Sequence, residues 1–325
     1  MAPAQPYLEA LSNYLEEMVE DFEVGVREPV RYTLRSSGKR IRPILTCYCG
    51  WRDEHAEAPD PALVRAGAVV ELVHLATLVH DDILDEASLR HQRATVAEKY
   101  GKKAAVLLGD TIFAQALRLA SSFPTVDVCR DISLATRRVC TGEVQQTLRA
   151  PDARVSFDDY REIIQLKTGE LFRVSCRLGA SLAGYSRDFQ AAAEHFGMQL
   201  GIAYQIFDDL ADLLDSEERI GKTLGTDLAS GKLTLPMLLL LERLDRREQV
   251  ALRAELAEGT PNGLMRLREQ MAAHGIVGSV IQYFEHELGQ GEAALAPFDE
   301  LPPARYLGAI SSFIREQICR FVPES

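Results

Sequence analysis

The sequence holds six cysteines (Cys47, Cys49, Cys129, Cys140, Cys176 and Cys319) but no Cys-x-x-Cys pair. Their apolar or helix-like surroundings read as reduced, buried thiols of a cytoplasmic protein, not as a zinc or disulfide framework. An excess of basic residues is missing as well. The 36 Lys+Arg against 48 Asp+Glu leave a net charge of −12, which argues against general nucleic-acid binding. No run reaches the roughly 18 uncharged apolar residues that a transmembrane segment needs. Gly67–Val79 is the nearest, and Glu71 and His74 break it. The opening Met1-Ala2-Pro3-Ala4 has neither a basic nor an apolar signal region, so no export signal is expected. There is no strictly alternating strand and no Asn-Gly turn between strand-like runs. Flexible interdomain linkers and repeats of roughly 20–50 residues are absent too. The expectation is therefore one domain over residues 1–325.

What is present is helical spacing. Of the 325 residues, 46% are apolar and 26% charged, the balance of an ordinary globular chain. Tyr7–Ser37 carries Leu8, Leu11, Leu15, Met18, Val19 and Phe22 between acids, an amphipathic stripe. The same reading predicts helices over Ile41–Trp51, Pro61–Ala87, Lys102–Ser122, Val126–Leu148, Phe157–Ala183 and Phe189–Asp215. It continues with Leu233–Leu244, Val250–Glu255, Met265–His274, Val277–Leu295 and Ala304–Phe321. Short breaks suit antiparallel neighbours, so the fold class is all-α, a helical bundle.

Two acidic motifs recur far apart: Asp81-Asp82-Ile-Leu-Asp85 and Asp208-Asp209-Leu-Ala-Asp212. Each ends a long apolar helical run. Residues i and i+4 lie about 6 Å apart on one helix face, so Asp81 with Asp85, and Asp208 with Asp212, present paired carboxylates. Carboxylates near a helix C-terminus oppose the macrodipole, at a cost of a few tenths of a kcal/mol each, unless a cation binds there. Hard oxygen donors with few histidines suit Mg²⁺, which takes the rest of its shell from water and phosphate. A third cluster, Asp158-Asp159-Tyr-Arg-Glu162, follows Ser156 at a helix start and reads as capping. Basic segments accompany the acids: Gly38-Lys39-Arg40-Ile41-Arg42-Pro43, Arg90 and Arg93, Lys167-Thr168-Gly169, Gly221-Lys222 and Gly231-Lys232. Positive charge beside metal-binding acid is what a diphosphate substrate requires.

From about Gly38 to Pro236 these segments resemble the trans-isoprenyl diphosphate synthases of the polyprenyl synthetase family. The residues carrying the likeness are Gly38-Lys39-Arg40-Ile-Arg42-Pro43, Glu71-Leu-Val-His74, both aspartate motifs, Gly109-Asp110, Gly142-Glu143-Val-Gln-Gln146, Lys167-Thr168, Gln205, Lys222 and Gly231-Lys232. The resemblance implies an antiparallel bundle around a deep central cavity, a homodimer, and three Mg²⁺ ions. By position it implies that Asp81 and Asp85 ligate two ions and Asp208 the third, with Asp82, Asp209 and Asp212 as further or outer ligands. Arg90, Lys167, Lys222 and Lys232 would hold an allylic diphosphate, and Lys39, Arg42 and His74 isopentenyl diphosphate. Thr168 and Gln205 would help stabilise an allylic cation. The implied reaction adds one five-carbon unit, giving a trans-polyprenyl diphosphate.

The chain departs from the family at Ser88-Leu89-Arg90-His91-Gln92-Arg93: His91 stands where a second arginine is usual, and either His91 or Arg93 takes its place. Ala76 and Thr77, five and four residues before Asp81, are small where Phe or Tyr would stop growth early. That favours a medium- or long-chain product over a farnesyl or geranylgeranyl synthase. A non-catalytic subunit of a heteromeric synthase would tend to lose aspartates, and none is missing.

Overall fold

The computed structural model describes residues 4–36, 38–53, 58–148, 155–214, 234–257 and 261–321. These residues are almost wholly helical. In chain order they form α1 (Gln5–Met18), a 3₁₀ turn (Val19–Asp21), α2 (Val24–Leu34), α3 (Ile41–Cys49) and α4 (Pro61–Leu84). Then come β1 (Leu89–Arg90), β2 (Arg93–Ala94), α5 (Val96–Tyr100), α6 (Lys102–Ser121), α7 (Asp127–Leu148), α8 (Phe157–Ile164), a π turn (Gln165–Gly169), α9 (Glu170–Leu182) and α10 (Arg187–Leu214). The chain ends in α11 (Leu235–Arg243), α12 (Arg246–Ala257), α13 (Pro261–Ala273), α14 (Ile276–Leu295) and α15 (Pro302–Cys319).

Most predicted helices lie within a few residues of the observed ones. Three readings need correction. Tyr7–Ser37 is two helices, because the chain leaves the helix at Phe22, whose φ of −86° and ψ of 156° are extended. The long candidate Phe157–Ala183 is interrupted at Lys167-Thr168-Gly169, as the sequence signalled, but by a π turn that keeps the axis continuous. A two-residue antiparallel ladder, Leu89↔Ala94 and Arg90↔Arg93, was not expected. His91 and Gln92 close it with φ of 49° and 60°. Two positive-φ central residues make the tight hairpin turn whose twist suits an antiparallel pair, at about 1 kcal/mol for each non-glycine residue. Surrounding bonds hold it there: Thr95 N–H reaches Ser88 O, Thr95 Oγ1 donates to Ala87 O, and Tyr32 Oη donates to Ala94 O at 2.6 Å.

Two long helices carry the architecture. Helix α4 starts on Pro61 behind the Asp60 side chain, which accepts from Ala62 N–H at 2.7 Å. It is buried along most of its length and packs against α1, α3, α6 and α9. Helix α10 packs against α9 and α14. By length and composition alone α4 and α6 could each cross a membrane, but 72% of the apolar window of α4 is buried inside the bundle, against 44% for α6. The capping box at α8 is formed as read: Ser156 Oγ accepts from Asp159 N–H, and the Asp159 carboxylate accepts from Ser156 N–H. Asp158-Asp159 is thus a helix start.

The contact of α9 with α10 needs glycine. A Cβ on Gly201 would lie 2.8 Å from Gly169 Cα and 3.0 Å from Phe172 Cβ. Since Gly169 belongs to the π turn, this close approach fixes where that turn sits against α10. Gly201→Ala is expected to force the helices apart and lower stability by about 1–3 kcal/mol, read as a fall in thermal midpoint. An unchanged midpoint would mean that the two backbones are not held this close.

Candidate active site

The accessible side of α4 near its C-terminus is one stripe. His74, Thr77 and Asp81 are half-buried and Asp85 is exposed, while Asp82 is 4% exposed. On α10 the matching stripe is Tyr204, Gln205, Phe207 and Asp208, all half-buried. Arg42, the second residue of α3, is half-buried. Tyr204 and Glu71, then Asp208 and Asp81, act on its guanidinium electrostatically. Its ring neighbour is Phe172, 4.8 Å from the guanidinium carbon, and Arg42 Nη1 donates to His74 Nε2 at 2.9 Å. The buried Arg42 Nε meets no hydrogen-bond acceptor among the described residues. A half-buried cation with an unmet buried donor, within electrostatic reach of two carboxylates, is a place for an anion that brings its own counter-charge.

Burial sets the protonation pattern. Desolvation pushes Asp81 up to about 6, with Glu143 and Asp85 adding to the rise and Lys167 and Arg90 opposing it. Desolvation, then the charges of Arg42, Arg90 and His91, hold His74 well below the ordinary histidine range. His74 is therefore neutral and spends Nε2 as an acceptor for Arg42, orienting that residue. Lys167, on the π turn beside Asp81, pairs with Glu143 Oε2 at 2.5 Å.

The second residue of each motif is tied into the fold. Asp82 Oδ1 accepts from Arg90 Nε and Nη2, each at 2.8 Å. Asp209, 3% exposed, accepts from Tyr160 Oη and Gln205 Nε2, both at 2.7 Å. Thr168 Oγ1 donates to Gln205 Oε1 at 2.7 Å. The two motifs are not equivalent, as their shared spacing implied. Asp85 is exposed, but Asp212 is 1% exposed, at an α10 terminus where Arg268 Nε donates to Leu213 O at 2.6 Å. Asp212 therefore does not share the accessible stripe of Asp208. Among the described residues no three His, Cys, Asp or Glu side chains converge on one metal position.

The basic residues divide similarly. Lys39 is exposed, its Nζ 6.0 Å from the Phe313 ring of α15. Arg93 is occupied: Nη1 donates to Arg35 O at 2.9 Å, capping the end of α2, and the guanidinium stacks 4.8 Å from Tyr32. His91 instead lies on the basic turn, its Nε2 3.2 Å from where a Gly38 Cβ would be. Lys222 and Lys232 fall outside the described residues. Of the chain-length pair, Ala76 is fully buried and only Thr77 reaches accessible space, its Oγ1 donating to His74 O. Sequence reasoning missed Tyr160 altogether, since nothing local marks a tyrosine 49 residues from the aspartate it bonds.

Residues 23–269 match the family model described as Polyprenyl synthetase. The chain belongs to the polyprenyl synthetase family. As a member it is a prenyltransferase of isoprenoid biosynthesis, a polyprenyl diphosphate synthase acting on isoprenyl diphosphates with divalent metal. It is 30% identical over 289 residues to an octaprenyl diphosphate synthase of Escherichia coli, covering 89% of this chain and 88% of that one. It is 29% identical to a geranyl-diphosphate-specific all-trans-nonaprenyl-diphosphate synthase of Rhodobacter capsulatus, over 97% and 95% of the two chains. Among solved structures, a polyprenyl synthase of Caulobacter crescentus, complexed with calcium and isoprenyl diphosphate, superposes with a TM-score of 0.88 at 28% identity, covering 96% and 95%.

The direction of the His74 shift carries a sign for this family member. A histidine kept neutral by the fold binds its proton only when unfolded, so stability falls as pH drops below about 6.5. His74→Gln retains an acceptor for Arg42 and removes that dependence. Between pH 7 and pH 5 the parent is expected to lose about 1 kcal/mol per pH unit more than the variant, by denaturant unfolding. Asp81, raised, contributes with the opposite sign in both chains and cancels in the difference. Parallel profiles would mean that His74 takes up its proton as readily in the fold as in the unfolded chain.

Proposed function

We propose that the chain is a long-chain trans-prenyltransferase, condensing isopentenyl diphosphate with an allylic diphosphate to extend a trans-polyprenyl diphosphate. The observation that carries this is that carboxylates of both acidic stripes act on half-buried Arg42, with the small, half-buried Thr77 one turn before Asp81. Asp81 and Asp85 on α4 and Asp208 on α10 would hold Mg²⁺, in keeping with a three-ion site. Bound magnesium supplies charge neutralisation for the departing diphosphate.

The protein's own residues do the rest. Lys167, beside Asp81, and Arg90 face the allylic diphosphate, with Lys222 and Lys232 as further cations. Arg42, steered by neutral His74, and Lys39 hold isopentenyl diphosphate. When the allylic C–O bond breaks, its electron pair leaves with the diphosphate. The π electrons of isopentenyl diphosphate then form the new C–C bond, and a proton is lost to the released diphosphate. Thr168 and Gln205 offer oxygen to the developing cation. Helices α4 and α10 keep water from it with apolar walls. The working unit is a homodimer of single-domain chains in the cytoplasm.

Purified protein supplied with Mg²⁺, labelled isopentenyl diphosphate and starters of several lengths is expected to yield products of more than four five-carbon units. Products that stop at three or four units would mean a short-chain synthase, and no consumption at all a non-catalytic subunit. Thr77→Phe is expected to shorten the product ladder with little change in melting temperature. Ala76→Phe, which must displace packed helices, is expected to cost about 1–3 kcal/mol of stability instead. The reverse pattern would reassign the stop.

His91 is the residue that replaces the usual arginine, since Arg93 is committed to α2. A charge-assisted bond to phosphate exceeds a neutral one by enough to matter tenfold. His91→Arg is expected to lower KM for isopentenyl diphosphate about tenfold at neutral pH, leaving KM for the allylic substrate unchanged. An Arg93→Ala chain that shows the KM effect instead would reverse the assignment.

A further inference from the structure

Four side chains from three parts of the chain form one hydrogen-bonded rail. Tyr160, buried on α8, donates to Asp209 Oδ2; Gln205 Nε2 donates to Asp209 Oδ1; Thr168 Oγ1 donates to Gln205 Oε1; each bond is 2.7 Å long. The chemistry of the groups fixes its direction. A carboxylate only accepts, so the Gln205 amide must turn its NH₂ to Asp209 and its carbonyl to Thr168. That carbonyl only accepts, so the Thr168 hydroxyl must spend its hydrogen on Gln205. The oxygen lone pairs of Thr168 are what remain to face the substrate. Free rotation would otherwise let this hydroxyl present its hydrogen, the wrong sign for a neighbouring carbocation.

We infer that Tyr160 is a positioning residue for the condensation, locking Asp209 and through it the polarity of Gln205 and Thr168. The inference rests on the reading of Thr168 and Gln205 as stabilisers of the allylic cation. Tyr160, 6% exposed, acts through its bond to Asp209. The π turn has a part in this. Its wider winding sets Thr168 against Gln205 while Lys167, the preceding residue, reaches Glu143 beside Asp81. One local distortion thus serves both the charge on the leaving group and the cation left behind. A phenylalanine would fill the same volume, so the hydroxyl is the part that the packing does not explain.

Tyr160→Phe tests this with kcat and KM measured separately. The expected result is a kcat about tenfold lower with KM for both diphosphates unchanged, because orientation is lost and binding is not. The double variant Tyr160→Phe/Thr168→Val is expected to be no slower than Thr168→Val alone, since both cut one rail. Thr168→Ser, which keeps the hydroxyl, is expected to recover the Tyr160 dependence. An unchanged kcat in Tyr160→Phe, or losses that multiply in the double variant, would overturn the inference. Should the phenylalanine chain fail to fold, the pair Thr168→Val and Gln205→Leu is read the same way: coupled losses support the rail and multiplied losses overturn it. An inactive parent enzyme would overturn the functional reading and the inference with it, whereas an active parent indifferent to Tyr160→Phe overturns the inference alone.

Discussion

Everything at this site depends on a half-buried guanidinium within electrostatic reach of two carboxylate-bearing helix ends. Arg42 is acted on electrostatically by Tyr204 and Glu71, then by Asp208 and Asp81, with Phe172 against its face and neutral His74 as a fixed acceptor. The acids alone oppose their helix dipoles, and the arginine alone is a partly desolvated charge. Each arrangement is tolerable only with the other nearby, and a ligand carrying both phosphate and metal satisfies all of them at once.

The repeated motif does two jobs, divided by helical phase. Asp81 and Asp208 lie on accessible stripes, whereas Asp82 and Asp209, one residue on, rotate into the packing. There they anchor the machinery around them: Asp82 fixes Arg90 and the hairpin, and Asp209 fixes Gln205. The strained His91-Gln92 turn persists because Arg90, Arg93, Thr95 and the Tyr32 bond to Ala94 all pin its flanks. Its effect is to aim an imidazole at the Gly38 turn while keeping Arg93 out of the site.

Helix positions, both aspartate motifs and the basic turn before α3 were readable because each is a local pattern: a period of 3.6, an i to i+4 spacing, a charge run ahead of apolar residues. The kink at Phe22 was not, since the apolar stripe continues through it. Nor was the hairpin, because two-residue strands carry no alternation and His-Gln is not a turn signature. The facing of Ala76 and Thr77 depends on which neighbours α4 meets, and the burial of Asp212 on how the end of α10 is enclosed. Tyr160 is the plainest case: its importance comes from a contact across 49 residues of sequence.

The central claim is that Asp81 and Asp208 serve one diphosphate site around Arg42. Calorimetric titration of a non-reactive allylic diphosphate analogue into the parent, Asp81→Asn, Asp208→Asn and the double variant, with and without Mg²⁺, tests it most directly. The account predicts tight binding only in the parent with Mg²⁺, a large loss in either single variant, and a double variant that binds no better with metal than without it. Tight binding that survives both substitutions, or that ignores Mg²⁺ in the parent, would contradict it.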